Sequence, residues 1–493
     1  MSELATMPAK RAWTKRRITV VGIAIAVTLA AAVPIASYGW ARWSGRCSAH
    51  VAETPAKALS GIHADPVDQV DLDSLRASED KLISVERARA VLSAARTPGG
   101  GFQPVERVLV SATDSVQPIG TVNGNPVLAV GPAAWVGMTL QGSIVPLDRN
   151  TGQAIWGRQY LGDGVHGQQL PDQTMVLQLT SRPMAASFAN ADGRLEWCTW
   201  ISKDRLTSYQ PTFQSATTDD KQLYVVRAAA KEATDQSVLL TRIDARSGKI
   251  AWSQPIQGTD YVSALDTFGD QILLNQASAK DFGSLWNSAT YPRTAGSGAL
   301  IARSAATGAP SWTYAGPDQS SWGVNVIGVR GDTVIVAARQ AKKIPAKNEE
   351  PVQSWLIALD RAGKERWRQN LGSTSLAFNL TEQAKVAGSV VLTEQRARRQ
   401  EPKLEARDIT TGKLLWTRAR TNTAPDLRLE RSTITDNHLV VAAYGPLFGV
   451  RSIDLATGNE TTVLAKGFVR SLVGDEKAIT ITAEGLIFTL DHT

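Results

Sequence analysis

The chain has 493 residues, of which 43% are hydrophobic and 20% charged, and glycine and proline occur near their average frequencies. This composition excludes a disordered, collagen-like or disulfide-scaffold protein, and the length allows a large hydrophobic core. The formal net charge is +7, but residues 1–17 hold five Lys/Arg against one Glu. Because most of the excess positive charge lies in this tail, we expect no nucleic-acid partner.

An apolar stretch follows the basic tail. The 24 residues from Ile18 to Ala41 carry no charge, and a helix rising about 1.5 Å per residue over this length spans a bilayer core of roughly 30 Å. Lys and Arg stay on the cytoplasmic side of a membrane. We therefore predict a cytoplasmic tail at 1–17, a single transmembrane helix at 18–41, and localisation of the remaining chain outside the cytoplasm at the cell membrane. A cleaved signal peptide is the alternative, since Ala30 and Ala32 form a small-residue pattern.

Residues 42–106 are predicted to form a polar stalk that contains one amphipathic helix at about 74–96. Apolar side chains recur there at a spacing of three, four or seven, as on one face of a helix. The residues on this face are Leu75, Leu82, Val85, Ala88, Val91 and Leu92. Asp73 or Ser74 is the expected N-cap, and the sequence TPGGG from Thr97 ends the helix.

One phrase recurs through the rest of the chain. It is a short apolar strand, an Asp, two residues, Thr/Ser-Gly, and a Trp four residues after the Gly, as in IVPLDRNTGQAIW with Asp148, Gly152 and Trp156. Two copies have a turn one residue shorter, and Ser304 replaces the Asp in another. The repeated tryptophans are Trp156, Trp197, Trp252, Trp312, Trp367 and Trp416. Two further copies, around Gly458 and at the chain end, lack the Trp.

Each copy follows a small turn and a second β-rich strand, so the repeat predicts antiparallel hairpins. The Asp can accept N–H bonds within its turn, the Gly can supply a positive φ, and the Trp can wedge between neighbouring sheets. A unit of about 50 residues suits one four-stranded propeller blade. We predict an all-β, eight-bladed β-propeller over 107–493, in which strand 107–116 completes the last blade and hides its edges. Seven blades is the alternative.

These units resemble the pyrroloquinoline-quinone-like, tryptophan-docking repeat of eight-bladed propellers. The resemblance implies a propeller outside the cytoplasm, similar to the non-enzymatic outer-membrane assembly propeller more than to the quinone-dependent dehydrogenases. Those enzymes often carry a vicinal Cys-Cys pair and gather calcium ligands, and we find neither pattern here. We therefore expect no cofactor, no metal and no enzymatic activity.

The two cysteines, Cys47 and Cys198, are far apart in sequence. They could form one disulfide if both face an oxidising compartment, and two unpaired thiols is the alternative.

Aromatic and cationic residues are concentrated in the long loops between the second and third strands of blades 4 to 6, which open on one face. Such enrichment is typical of a recognition surface, although solvated loops would also explain it. The candidate binding face comprises Trp286, Tyr291, Trp322, Lys342, Lys343, Arg396, Arg398 and Arg399.

The favoured function is a membrane-anchored, non-catalytic scaffold that binds another protein of the cell envelope. A receptor for a small ligand or glycan is the alternative, and a quinone-dependent oxidoreductase is less favoured.

Overall fold

The computed structural model describes residues 47–54, 59–60, 62–72, 84–111, 116–130, 141–161, 165–169, 173–178, 184–201, 214–218, 222–227, 238–256, 261–277, 298–316, 322–340, 351–375, 383–395, 403–420, 426–435, 437–444, 449–474 and 477–492. The predicted tail and transmembrane helix at 1–41 lie outside these ranges. Within them, no helix has both the length and the apolarity needed to cross a membrane. The chain divides into two compact units, residues 1–52 and 53–493.

The first described elements precede the ring of blades. They are a 3-10 turn at Cys47–His50, β1 (Val51–Glu53), β2 (Asp65–Pro66), α1 (Val85–Arg96) and β3 (Arg107–Val110). Cys47 and Cys198 are both disulfide-bonded, so neither is a free thiol.

Seven blades follow in chain order, each built on four consecutive antiparallel strands. Blade 1 comprises β4 (Val116–Val122), β5 (Asn125–Val130), β6 (Gln141–Pro146) and β7 (Arg158–Leu161). Blade 2 comprises β8 (Val165–Gln169), β9 (Gln173–Gln178), β10 (Met184–Ala189) and β11 (Leu195–Trp200). Blade 3 comprises β12 (Gln214–Thr218), β13 (Gln222–Arg227), β14 (Val238–Asp244) and β15 (Ile250–Ile256). Blade 4 comprises β16 (Tyr261–Phe268), β17 (Gln271–Ala277), β18 (Gly298–Ser304) and β19 (Pro310–Tyr314).

The second half of the ring repeats this arrangement. Blade 5 comprises β20 (Trp322–Arg330), β21 (Thr333–Gln340), β22 (Pro351–Leu359) and β23 (Glu365–Ser375). Blade 6 comprises β24 (Ala384–Ala387), β25 (Val390–Gln395), β26 (Lys403–Asp408) and β27 (Leu414–Ala419). Blade 7 comprises β28 (Asp426–Thr435), β29 (His438–Tyr444), β30 (Gly449–Asp454) and β31 (Glu460–Leu464). Blade 8 takes β32 (Val469–Gly474), β33 (Ala478–Ala483) and β34 (Leu486–Asp491), and its fourth strand is β3.

The ring closes through the strand that sequence analysis assigned to this role. β3 pairs antiparallel with β34, with Val108 opposite Phe488, and the side chains of Val108 and Leu109 are buried. The prediction of eight blades is confirmed, and the alternative of seven is wrong. β3 ends at Val110, short of the predicted limit at 116, and the Ser111 N–H then donates to the Gly485 carbonyl at 2.8 Å.

Most joints between blades are built on a tryptophan of the fourth strand, or of the residues just before it. In five joints the indole N–H donates to a backbone carbonyl in the turn of the next blade. The pairs are Trp156 with Asn190 at 2.8 Å, Trp197 with Ala245 at 2.9 Å, Trp312 with Arg361 at 2.8 Å, Trp367 with Ile409 at 3.0 Å, and Trp416 with Leu455 at 3.0 Å.

Each indole ring also lies on the glycine of the next turn. Gly193 shows the two reasons why this turn position requires a glycine. Its φ is +66°, and a Cβ there would approach the ring of Trp156 to 2.5 Å. The turn glycine and the preceding blade's tryptophan therefore form one structural unit.

Trp252, at the joint between blades 3 and 4, is the exception. Its ring reaches Gly308, but its N–H has no hydrogen-bond partner. The carbonyl at the equivalent turn position belongs to Ala305, and it accepts from the Tyr224 hydroxyl at 3.2 Å and from Arg242 at 3.3 Å. At this joint the indole ring therefore still packs on the turn glycine, but the indole N–H makes no hydrogen bond.

β3, the fourth strand of blade 8, carries no tryptophan, and the chain that precedes the ring covers the joint between blades 8 and 1. The Ala64 N–H donates to the Gly152 carbonyl at 2.9 Å, and Arg107 donates to the Asn150 carbonyl at 2.6 Å. Leu59 packs on the apolar cluster of this joint. This part of the predicted 42–106 stalk is thus packed on the propeller, because it covers apolar surface that no indole covers.

Helix α1 covers the joint between blades 7 and 8, where the fourth strand of blade 7, β31, also carries no tryptophan. Its buried residues, Ala88, Val91, Leu92 and Ala95, join one core cluster with residues of blades 7 and 8. The described helix begins at Val85, and its N-cap is Ser84, whose hydroxyl accepts from the Arg87 N–H at 3.4 Å. The predicted N-cap residues, Asp73 and Ser74, lie outside the described residues.

We predict that the indole hydrogen bond contributes to stability in one joint and not in another. Trp416→Phe removes a donor to the Leu455 carbonyl, whereas Trp252→Phe removes a donor that has no acceptor. Both changes remove similar apolar area, so Trp416→Phe should lower the free energy of unfolding by about 1 kcal/mol more. Urea unfolding followed by circular dichroism measures both. Equal losses would contradict this account of the joints.

Candidate functional site

The loops of the candidate binding face are held at one edge of three neighbouring blades. The strand ends that carry them are paired as Ala277 with Gly298, Gln340 with Gln353, and Gln395 with Lys403 in blades 4, 5 and 6. Gly298 also pairs with Gly323 of blade 5, so two of the three loop bases are adjacent. The backbone thus brings the loop bases to one face.

The predicted binding residues of these loops are not themselves described. Trp286, Tyr291, Lys342, Lys343, Arg396, Arg398 and Arg399 lie outside the described residues. Trp322 is the first residue of β20, and its backbone pairs with Gln340 at the base of the blade 5 loop. The position of its side chain is likewise outside the description.

A buried ionic network lies beneath the blade 6 loop. The Arg420 guanidinium contacts the Glu394 carboxylate at 3.3 Å and Glu460 of blade 7 at 2.5 Å. Glu394 also accepts the Leu427 N–H at 3.1 Å, and Arg451 lies 3.5 Å from Glu460. The side chains of Arg420 and Glu394 are only 4% and 2% exposed, so each charge depends on the other for compensation.

A second charge cluster lies on the other face of the same blade. Buried Glu405 contacts Lys403 at 2.5 Å and Arg407 at 3.0 Å. Glu394 and Glu405 sit on neighbouring strands and, because Glu394 is opposite Leu404, they point to opposite faces of the sheet. Blade 6 therefore carries charge pairs on both faces of its sheet, and the Arg420–Glu460 pair connects it to blade 7.

Sequence reasoning missed these ionic residues. The available signal was a glutamate at the end of the apolar strand VVLTE, ending at Glu394, where burial is expected. Its partner Arg420 is 26 residues away in sequence, and Glu460, which Arg420 also contacts, is 66 residues away. No local pattern connects these residues.

The repeat aspartates act as turn residues. Asp408 Oδ1 accepts from the Thr411 N–H and hydroxyl, both at 2.8 Å, and these bonds hold its pKa below 3.8. Hydrogen bonds from turn residues likewise lower the pKa of Asp148, Asp244 and Asp454. Hydrogen bonds to the charged form explain this direction, and no catalytic role is needed.

Asp266, on the innermost strand of blade 4, has the opposite shift. Burial raises the pKa of its carboxyl, although the Thr267 N–H donates to it at 2.8 Å and the charge of Lys385 opposes the rise. Within the described part of the chain, no group of three or more His, Cys, Asp or Glu could hold a metal ion. One carboxylate beside a lysine does not fit a calcium-dependent quinone site, which needs several oxygen ligands. The residues around Asp266 therefore support no quinone-dependent reaction.

A family model described as "Outer membrane protein assembly factor BamB" matches residues 140–312 and 296–492, which is more than half of the chain. The chain belongs to this family of pyrroloquinoline-quinone-like propellers. A search of curated proteins finds no significant match.

Several solved structures are similar in fold at low identity. BamB from Moraxella catarrhalis is 12% identical, with 78% of this chain and 97% of that chain covered and a TM-score of 0.41. A quinohemoprotein alcohol dehydrogenase from Comamonas testosteroni is also 12% identical, with 88% and 84% covered and a TM-score of 0.40. A computationally designed protein is 13% identical, with 76% and 100% covered and a TM-score of 0.44.

We predict that Arg420→Met destabilises the protein by about 3–5 kcal/mol, because it leaves Glu394 buried without its cation. Adding Glu394→Gln should recover part of the loss, since the amide can still accept the Leu427 N–H. Lys413→Met, at an exposed position of the same blade, is the control. Thermal and urea unfolding measure all three variants, and a double variant no more stable than Arg420→Met would contradict the charge argument.

The turn aspartates predict a pH dependence of stability. Because the pKa of folded Asp408 lies below 3.8, its contribution is present above that value and is lost as pH falls through the folded pKa. Asp408→Asn should therefore flatten the fall in melting temperature below about pH 4, whereas Asp68→Asn, at an exposed position outside the turns of the repeat, should leave it unchanged. Differential scanning calorimetry across this pH range makes the comparison.

Proposed function

We propose that this protein is a membrane-anchored, extracytoplasmic propeller that binds another protein of the cell envelope without catalysing a reaction. The observation that carries the proposal is the match to the outer-membrane assembly factor family over two overlapping parts of the ring. A closed ring of eight blades offers rigid loop bases, which suit a binding scaffold.

Two features support the membrane and extracytoplasmic parts of the proposal. The uncharged stretch at 18–41 follows five Lys/Arg, which is the pattern of an anchor with its N-terminus in the cytoplasm. Both cysteines are disulfide-bonded, and disulfides persist mainly in oxidising compartments.

The face that carries the loops of blades 4 to 6 is the proposed binding surface. The bases of the blade 4 and blade 5 loops are joined by the Gly298–Gly323 pair, and the blade 6 loop stands on the buried Arg420–Glu394 pair. Rigid bases reduce the entropy that loops lose when they bind a partner. Aromatic and Arg side chains in such loops are the residue types that contribute most to protein interfaces.

We predict that crosslinking in intact cells, followed by purification of the full-length protein, captures an envelope protein in a stoichiometric amount. Replacing Trp286, Trp322 and Arg398 by alanine should reduce capture by at least tenfold, about 1.4 kcal/mol of binding free energy. The same variant should keep the wild-type melting temperature, because Trp286 and Arg398 are predicted loop residues and Trp322 is the first residue of β20.

The matched control replaces Arg246 by alanine, a cation of a turn at the opposite edge of blade 3. This control should capture the partner at the wild-type level. Equal capture by the triple variant would exclude this face. A protein purified alone would favour a receptor for a small ligand or glycan, which ligand-dependent thermal stabilisation would then reveal.

A further inference from the structure

The outer edge of blade 1 carries a segment from outside the ring. The Thr54 N–H donates to the Gly157 carbonyl at 3.1 Å, directly after the repeated tryptophan of that blade. Glu53, the last residue of β1, forms an ion pair with Arg158 at 2.8 Å. The Arg158 guanidinium also donates to the Gly193 carbonyl in the turn of blade 2. One arginine therefore contacts the next blade and the added segment at the same time.

Blade 6 has an arginine at the same position. Arg158 and Arg418 each lie two residues after the repeated tryptophan of their blade. They also pair at the same level of the third strand, opposite Ile144 and Leu404. The other four blades with a repeated tryptophan have Thr199, Gln254, Tyr314 and Gln369 at this position. Among these six blades, only blades 1 and 6 therefore place a guanidinium there.

The Arg418 guanidinium lacks the carboxylate that Arg158 has. Its Nε and Nη2 donate to the Thr457 carbonyl in the turn of blade 7 at 3.3 and 3.0 Å, and Nη2 also donates to Asn459 Oδ1 at 2.7 Å. Within the described part of the chain, its Nη1 makes no hydrogen bond and the guanidinium no ion pair. Arg418 is exposed, so a carboxylate can reach it. Blade 6 thus has the cation of blade 1 without the acidic residue.

The outer strand of blade 6 is open along its edge. β27 pairs with β26 on one side, and no described residue pairs with it on the other. Thr417 is equivalent to Gly157, whose carbonyl accepts the added segment in blade 1, so the Thr417 N–H and C=O point outward from this edge. Leu414 and Leu415 of the same strand are 42% and 48% exposed. A strand edge with free backbone groups and exposed apolar side chains is a template for pairing with another chain.

We propose that the outer edge of β27 in blade 6 binds an extended segment of a partner protein, with an acidic side chain that pairs with Arg418. Backbone hydrogen bonds at Thr417 provide the affinity, and the ion pair fixes the register. A second copy is not the occupant, because Glu53 of each copy is already paired with its own blade 1. A Cβ at Gly157 would lie 2.4 Å from Leu59, which turns back over the edge of blade 1. Thr417 has such a Cβ, so the partner segment runs straight along blade 6. This surface does not depend on the loops of the proposed binding face.

The test is binding of a fluorescein-labelled peptide with the sequence of residues 48–54, SAHVAET, to the full-length protein, measured by fluorescence anisotropy. This peptide stands in for the partner segment because it contains Glu53 and Thr54. Thr417→Pro removes the outward N–H and should weaken binding at least tenfold. Arg418→Met in the protein, or Glu53→Gln in the peptide, should each weaken binding about threefold. Combined, they should weaken it no further than either change alone, because both remove one ion pair.

Lys413→Met removes another exposed cation of blade 6 and is the matched control, which should bind the peptide as the wild type does. Independent effects of Arg418→Met and Glu53→Gln, or no saturable binding by the wild type, would overturn the proposal. Coupling of the peptide glutamate to Arg158 in place of Arg418 would mean exchange with the chain's own segment, and would overturn it too. Self-association in sedimentation velocity that Thr417→Pro abolishes would identify a second copy as the occupant, contrary to the proposal.

Discussion

The docking of an indole ring on the turn glycine of the next blade is the interaction on which the propeller depends. A single blade has apolar side chains on both faces and cannot bury them alone. The tryptophan of one blade covers this surface, and the turn of the next blade accepts both the ring and its N–H. A carboxylate such as that of Asp408, which accepts hydrogen bonds from backbone N–H groups, and a glycine such as Gly412 at φ +70° give this turn its shape. One short phrase therefore fixes the end of a blade and its contact with a neighbour.

The propeller also needs a contact at the two joints where the repeated phrase lacks its tryptophan. The structure uses the preceding chain for both, with α1 at one joint and the segment around Ala64 at the other. The segment reaches Gly152, the glycine on which an indole would otherwise lie, and a Cβ there would meet the Ala64 carbonyl at 2.0 Å. The residues before the first blade are thus part of the propeller's stability as much as its strands are.

This division explains what could be predicted from the sequence. The phrase is local and periodic, so the number of blades and the closing strand at Arg107 could be derived from spacing. The start of α1 at Val85 and the packing of the predicted stalk depend on contacts with blades that lie hundreds of residues away. The Arg420–Glu394 pair is invisible for the same reason, since neither residue belongs to the phrase.

The joint between blades 3 and 4 differs from the other tryptophan joints in its hydrogen bonding. Five indole N–H groups find carbonyl acceptors in this chain, so the repeat can satisfy this donor. An unsatisfied buried donor costs about 1–3 kcal/mol, and a buried guanidinium without a carboxylate costs more. At Trp252 and Arg303 both costs fall on one joint.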